Sequence, residues 1–201
     1  MSSETGRIEA FSDGVFAIAI TLLILDLKVP SVPAGGLGPA LLAEWPGYAA
    51  FLVSFAFIGI MWVNHHRLFT HIGRANNALL IFNLLLLLGV CVIPFSTAVL
   101  AAYLNRADAR AAALLYNGVY FVIAIFFNLL WNYAVRRQLL HDATAPTAAK
   151  ITGQYAFGPL LYAICLALGL LSVPASLILN FLLAVFFALP PHIAARGRRA
   201  G

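Results

Sequence analysis

Arg7, Ser12 and Asp13, in the segment Arg7-Ile8-Glu9-Ala10-Phe11-Ser12-Asp13, place a cation, a hydroxyl and a carboxylate at the start of an apolar run that ends near Pro30. A bilayer penalises charge at that depth by several kcal/mol unless a partner compensates, so such residues mark a functional or an assembly site. Further polar groups follow at comparable depth: Trp62-Val63-Asn64-His65-His66-Arg67, then Arg74-Ala75-Asn76-Asn77, then Asn83. In apolar helices, polar side chains at this density are best satisfied by one another. A hydrogen-bonded cluster of Arg7, Ser12, Asp13, Trp62, His65 and Asn83 is therefore expected, with Phe11 beside it.

Other chemistry finds less support. His65 and His66 are adjacent, and neighbours on a helix diverge by about 100°, so the two cannot face one metal as an i, i+4 pair would. Cys91 and Cys165 both fall in apolar stretches without ligand spacing, where thiols behave as small hydrophobes. Neither the His65/His66 pair nor the scattered serines make the nucleophile, base or metal set that an enzyme needs, so an enzyme is not expected.

The elements that must position these residues are membrane helices. Hydrophobic residues make up 63% of 201 residues, charged ones 9%, and the mean hydropathy is +0.95, values of a chain whose solvent is lipid. At about 20 residues per crossing, the apolar stretches at 8–29, 45–66, 77–101, 111–135, 154–172 and 175–190 make six helical spans in one domain covering 1–201. Period-two alternation is absent, which removes a β-barrel from consideration. The Pro/Gly-rich connector from Val29 to Pro39 separates the first two spans, and Ser172-Val173-Pro174 joins the last two in a tight hairpin. The first run keeps Asp13 and lacks a small-residue cleavage site, so it is expected to persist as a signal-anchor helix.

Orientation follows from Lys and Arg. With six spans, one side collects Arg7, Arg67, Arg74, Arg136, Arg137, Lys150, Arg196, Arg198 and Arg199, and the other only Lys28, Arg106 and Arg110. The positive-inside rule then puts both termini in the cytoplasm. The net charge of +5 reflects that topology and anionic lipid, and no nucleic-acid partner is inferred from it.

The first helix can be read by angle. At about 100° per residue from Ile18, Leu22 lies near +40° and Leu25 near −20°, with Phe11 near +20° on the same face. Asp13, at about −140°, turns away from this stripe. If Ile18, Leu22 and Leu25 face a pore or a partner helix, Ser12 and Asp13 look back into their own subunit; the plainer alternative is a packing seam or a lipid-facing surface.

Three motifs together carry a family resemblance: Arg-x-x-x-Phe-Ser-Asp at Arg7 to Asp13, Trp62-x-x-His65-x-Arg67-Leu68-Phe69, and Asn83 with Pro94. They resemble the endosomal and lysosomal potassium channel family of the transmembrane protein 175 type, and a single six-helix unit is similar to its bacterial branch. The resemblance implies an all-α integral membrane protein in the bacterial inner membrane, assembled as a homotetramer around a central pore lined by each first helix. It implies K⁺ as the permeant ion, no cofactor, and no bound metal beyond that ion. It places the constriction at Ile18, Leu22 and Leu25, with Thr21 as a possible polar layer. Arg7, Ser12, Asp13, Trp62 and His65 would knit the first three helices together. The chain contains no Thr-Val-Gly-Tyr-Gly loop, so a carbonyl filter of that kind is not expected. Asp26, at the outer end of the first helix, could concentrate cations or simply sit solvated beside Lys28. A small secondary transporter of the inner membrane is the alternative, but it would want a broken helix and a midplane site, whereas the middle of the first helix is aliphatic.

Overall fold

The structure, a computed structural model, describes residues 4–142 and 145–188. Eight α-helices run in chain order: α1 (Glu4–Leu22), α2 (Leu37–Ala43), α3 (Trp45–Phe69), α4 (Asn77–Tyr103), α5 (Ala109–Arg136), α6 (Ala145–Ala156), α7 (Gly158–Leu171) and α8 (Val173–Ala188). Five helical segments are long and apolar enough to cross a membrane: Thr5–Asp26, Trp45–Phe69, Asn77–Tyr103, Ala109–Arg136 and Ala148–Leu171. The sixth expected stretch is α8, apolar but only 16 residues long. Arg196, Arg198 and Arg199 lie outside the described residues.

The first span departs from the continuous helix expected over 8–29. Its α-helix starts earlier, at Glu4, and ends at Leu22; Leu23–Asp26 tighten into a 3₁₀ turn, and Leu27 is extended at φ −77°, ψ 106°. The chain has thus left the helix three residues ahead of Pro30, which offers no N–H and disfavours a helical residue before it, so the helix cannot resume there. Leu25 therefore sits on the 3₁₀ turn, where an α-helical angle no longer describes it. The Pro/Gly connector is also more ordered than its composition suggested, for its last three residues, Leu37 to Pro39, open the seven-residue helix α2. The fifth stretch is divided at Phe157 into α6 and α7, and Pro159 stands at the start of α7, where a missing N–H costs nothing.

The helices are held by a lipid-like core and close contacts. On α1 the buried residues are Thr5, Ile8, Ser12, Phe16, Ala19, and Leu23 just beyond it, a helical stripe that packs against α3 and α4. α4 and α5 make the broadest contact, and they approach closely at Gly89, where an added Cβ would lie 2.6 Å from Ile123 Cγ1. Only glycine fits there without displacing the Ile123 side chain. Asn76 caps α4, its side chain accepting from the Leu79 N–H at 3.0 Å. A set of hydroxyls deep in the core is satisfied internally: Thr97 donates to Ser54 Oγ at 2.8 Å, and Ser54 shares a hydrogen bond with the Tyr116 hydroxyl at 3.1 Å. Cys165 is buried as expected of a small hydrophobe, whereas Cys91 is exposed on the outer surface of α4.

Candidate pore helix and its bracing network

The site grows from α1. Its buried stripe carries Ser12, fully buried, whose hydroxyl donates to the Ile8 carbonyl at 2.8 Å. Ser12 Oγ in turn accepts from Asn83 Nδ2 of α4 at 3.0 Å. Asn83 Oδ1 meets His65 Nε2 of α3 at 2.8 Å. Because the Asn83 amide N–H is directed at Ser12, its carbonyl oxygen faces the ring, and a carbonyl only accepts. His65 therefore carries its proton on Nε2, and the relay runs in one direction: His65 to Asn83 to Ser12 to the Ile8 carbonyl. Phe16 meets the His65 ring edge-on at 5.4 Å and Phe69 stacks on it at 4.5 Å, so the imidazole is clamped by apolar rings. His65, Asn83 and Ser12 are at most 2% exposed, and a buried polar group that loses its partner costs about 1–3 kcal/mol.

A second tie joins α1 to α3 at the surface. Trp62 Nε1 donates to Asp13 Oδ1 at 2.8 Å, and His66 Nδ1 lies 3.6 Å from Glu9 Oε2. Glu9 and Asp13 are four apart on α1, as are Trp62 and His66 on α3, so two rungs connect the helices one turn apart. The Trp62 and His66 rings stack at 6.4 Å.

The single expected cluster is thus two separate ties. Ser12, Asn83 and His65 are joined in the buried relay, and Asp13 and Trp62 in the surface rung. Arg7 belongs to neither: it is exposed and makes no hydrogen bond or ion pair with a described residue. Its position on the Ile18 face of α1, with Phe11, carries it away from Ser12. Arg7 and Phe11 instead line a crevice of about 510 Å³ between α1 and α4, together with Asn76, Leu80 and Leu84. Glu9 and His66 were absent from the expected set, although their four-residue spacing from Asp13 and Trp62 carries the signal that would have found them.

The aliphatic stripe lies on the uncovered side of α1. Ile18 is 61% exposed, Leu22 43% and Leu25 74%. Thr21 is exposed beside them, its hydroxyl bonded to the carbonyls of Ala17 at 3.0 Å and Ile18 at 2.9 Å, which leaves oxygen lone pairs facing outward. Asp26 and Lys28 border an outer crevice of about 540 Å³ that also includes Glu44. Among the described residues no group of three or more His, Cys, Asp or Glu side chains could hold a metal ion.

The family model described as endosomal/lysosomal potassium channel TMEM175 matches residues 7–94, a stretch that opens at Arg7 and closes at Pro94. A potassium channel of Chamaesiphon minutus is 52% identical over 192 residues, covering 93% of this chain and 95% of that protein. A potassium channel of Streptomyces collinus is 47% identical over 189 residues, covering 92% of each. The crystal structure of a lysosomal potassium-selective channel TMEM175 homolog from Chamaesiphon minutus superposes with a TM-score of 0.85 at 50% identity, covering 94% of this chain and 98% of that one. With identity this high over nearly the full length of both chains, the protein belongs to the TMEM175 potassium channel family.

Proposed function

We propose that the chain is one subunit of a homotetrameric, potassium-permeable cation channel of the bacterial inner membrane, in which α1 lines a central pore. The observation that carries this reading is the division of α1 into two sides. One side is fixed by a buried relay to α3 and α4. The other leaves Ile18, Leu22 and Leu25 exposed on their own subunit. Four such faces would form a narrow aliphatic throat around an axis. Ions crossing it shed part of their water, and small changes in radius or rotamer wet or dry the passage. K⁺, more cheaply dehydrated than Na⁺, passes preferentially, with a preference more modest than a carbonyl cage gives. Thr21 offers the one hydroxyl layer near the throat, and Asp26 a carboxylate at its outer mouth.

Two close relatives are named potassium channels, which supports K⁺ as the permeant ion. α8 serves as the sixth crossing beside α7, and the Lys and Arg distribution puts both termini in the cytoplasm. In this reading the Ser12–Asn83–His65 relay and the Asp13–Trp62 rung are structural, and Arg7 and Phe11 face neighbouring subunits. A secondary transporter would need its broken helix to open on a polar midplane site; the break here, at Phe157, turns a 63% exposed phenyl ring outward.

Reconstitution into liposomes with a K⁺ gradient tests the proposal. Electrogenic K⁺ flux is expected; electrical silence, or uptake that saturates with an organic solute, would overturn it.

A further inference from the structure

Outside the membrane spans, the α3–α4 and α5–α6 connections clasp each other. Ile72 pairs with Leu140 in an antiparallel bridge. The Gly73 and Arg74 amides donate to the Leu139 carbonyl at 2.9 and 3.0 Å, and the His141 amide donates to the His71 carbonyl at 3.0 Å. This register sets His71 directly opposite His141. The His141 ring lies against the Gly73 α-carbon, where an added Cβ would come within 2.6 Å of Nδ1.

We infer that this clasp is a pH-sensitive joint, closed while His71 and His141 are neutral and loosened when both take up protons. Directly opposed residues of an antiparallel pair have Cβ atoms about 5 Å apart, and like charges there are destabilising. The groups around the pair do not relieve that repulsion. From α5, Trp131 meets the His71 ring edge-on at 6.3 Å. Arg74, on the His71 side, donates to the Gln138 carbonyl at 2.7 Å and adds positive charge. Arg137 lies over Tyr133 at 5.8 Å. Asp142, next to His141, makes no ion pair with either imidazole. The His71 pKa is lowered, first by burial and then by the charge of His141. A depressed histidine leaves the clasp at full strength above the ordinary value of about 6.5, and the clasp weakens as pH falls below it.

The joint matters for the rest of the molecule because it ties the start of α4 to the end of α5, and α4 carries the Asn83 that braces α1. Its test needs no ion flux and so stands apart from the channel reading. Hydrogen–deuterium exchange of the intact protein, corrected for intrinsic pH dependence, would be followed at the Gly73, Arg74 and His141 amides at about pH 7.5 and about pH 5. Acid is expected to speed their exchange by about threefold to fivefold, the scale of one like-charged cross-strand pair, while amides within α4 stay protected. His141→Phe keeps a ring over Gly73 without the charge, and His71→Phe removes the opposite charge; each is expected to abolish the acid response. Equal protection at both pH values in the parent protein, or an unchanged acid response in either variant, would overturn the inference.

Discussion

Ser12 shows how one hydroxyl can set the rotation of a membrane helix. It is a fully buried polar residue in the stripe of α1, and its acceptor lone pair is claimed by Asn83. Turning α1 by one residue, about 100°, would bring either Phe11 into that place, which strands the Asn83 amide in the core, or Asp13, which buries a charge there. Asn83→Ala is therefore expected to lower stability by about 1–3 kcal/mol, read as a lower melting temperature in detergent. Asp13→Asn keeps an acceptor for Trp62 but removes the charge that strengthens the rung between α1 and α3, so it is expected to reduce the tetrameric fraction more than it alters ion preference. A variant that assembles normally with changed selectivity would reverse that assignment. Ser12, His65 and Asn83 were legible in the sequence because a polar residue inside an apolar run needs a partner. Arg7 was misread for a geometric reason, since its position 100° multiples from Ile18 places it with Phe11 on the outward face.

Among the elements, α1 and α4 carry the clearest consequences. Replacing Ile18 or Leu22 with Asn would put an amide on the exposed stripe, and bilayer recordings are expected to show larger conductance or weaker K⁺/Na⁺ discrimination. Unchanged currents would mean that the stripe faces lipid. At the α4–α5 contact, Gly89→Val is expected to cost about 1–3 kcal/mol through overpacking against Ile123, with partial recovery when Ile123→Ala is added. Span lengths told where the long helices lie to within a few residues. They did not foresee the 3₁₀ turn over Leu23–Asp26, the helix Leu37–Ala43 or the break at Phe157, because hydropathy counts apolar residues over a window and does not register which carbonyl each amide reaches.

For the whole molecule, the described subunit leaves Leu80, Leu84, Leu88 and Phe95 of α4 exposed along with the α1 stripe. Lipid or neighbouring subunits must cover them, and mass measurement of the detergent-solubilised protein is expected to give four copies. The two rungs between α1 and α3 also constrain how such an assembly could move. The two rungs stand four residues apart on both helices, so a gradual slide of α1 along α3 would break both before forming anything new. A shift of one full turn, about 5.4 Å, would instead offer the Trp62 indole the Glu9 carboxylate in place of Asp13. The ladder thus acts as a detent: a tilt can keep both rungs, a whole-turn jump would keep one carboxylate on Trp62 but break the Ser12–Asn83 bond, and intermediate positions would keep neither.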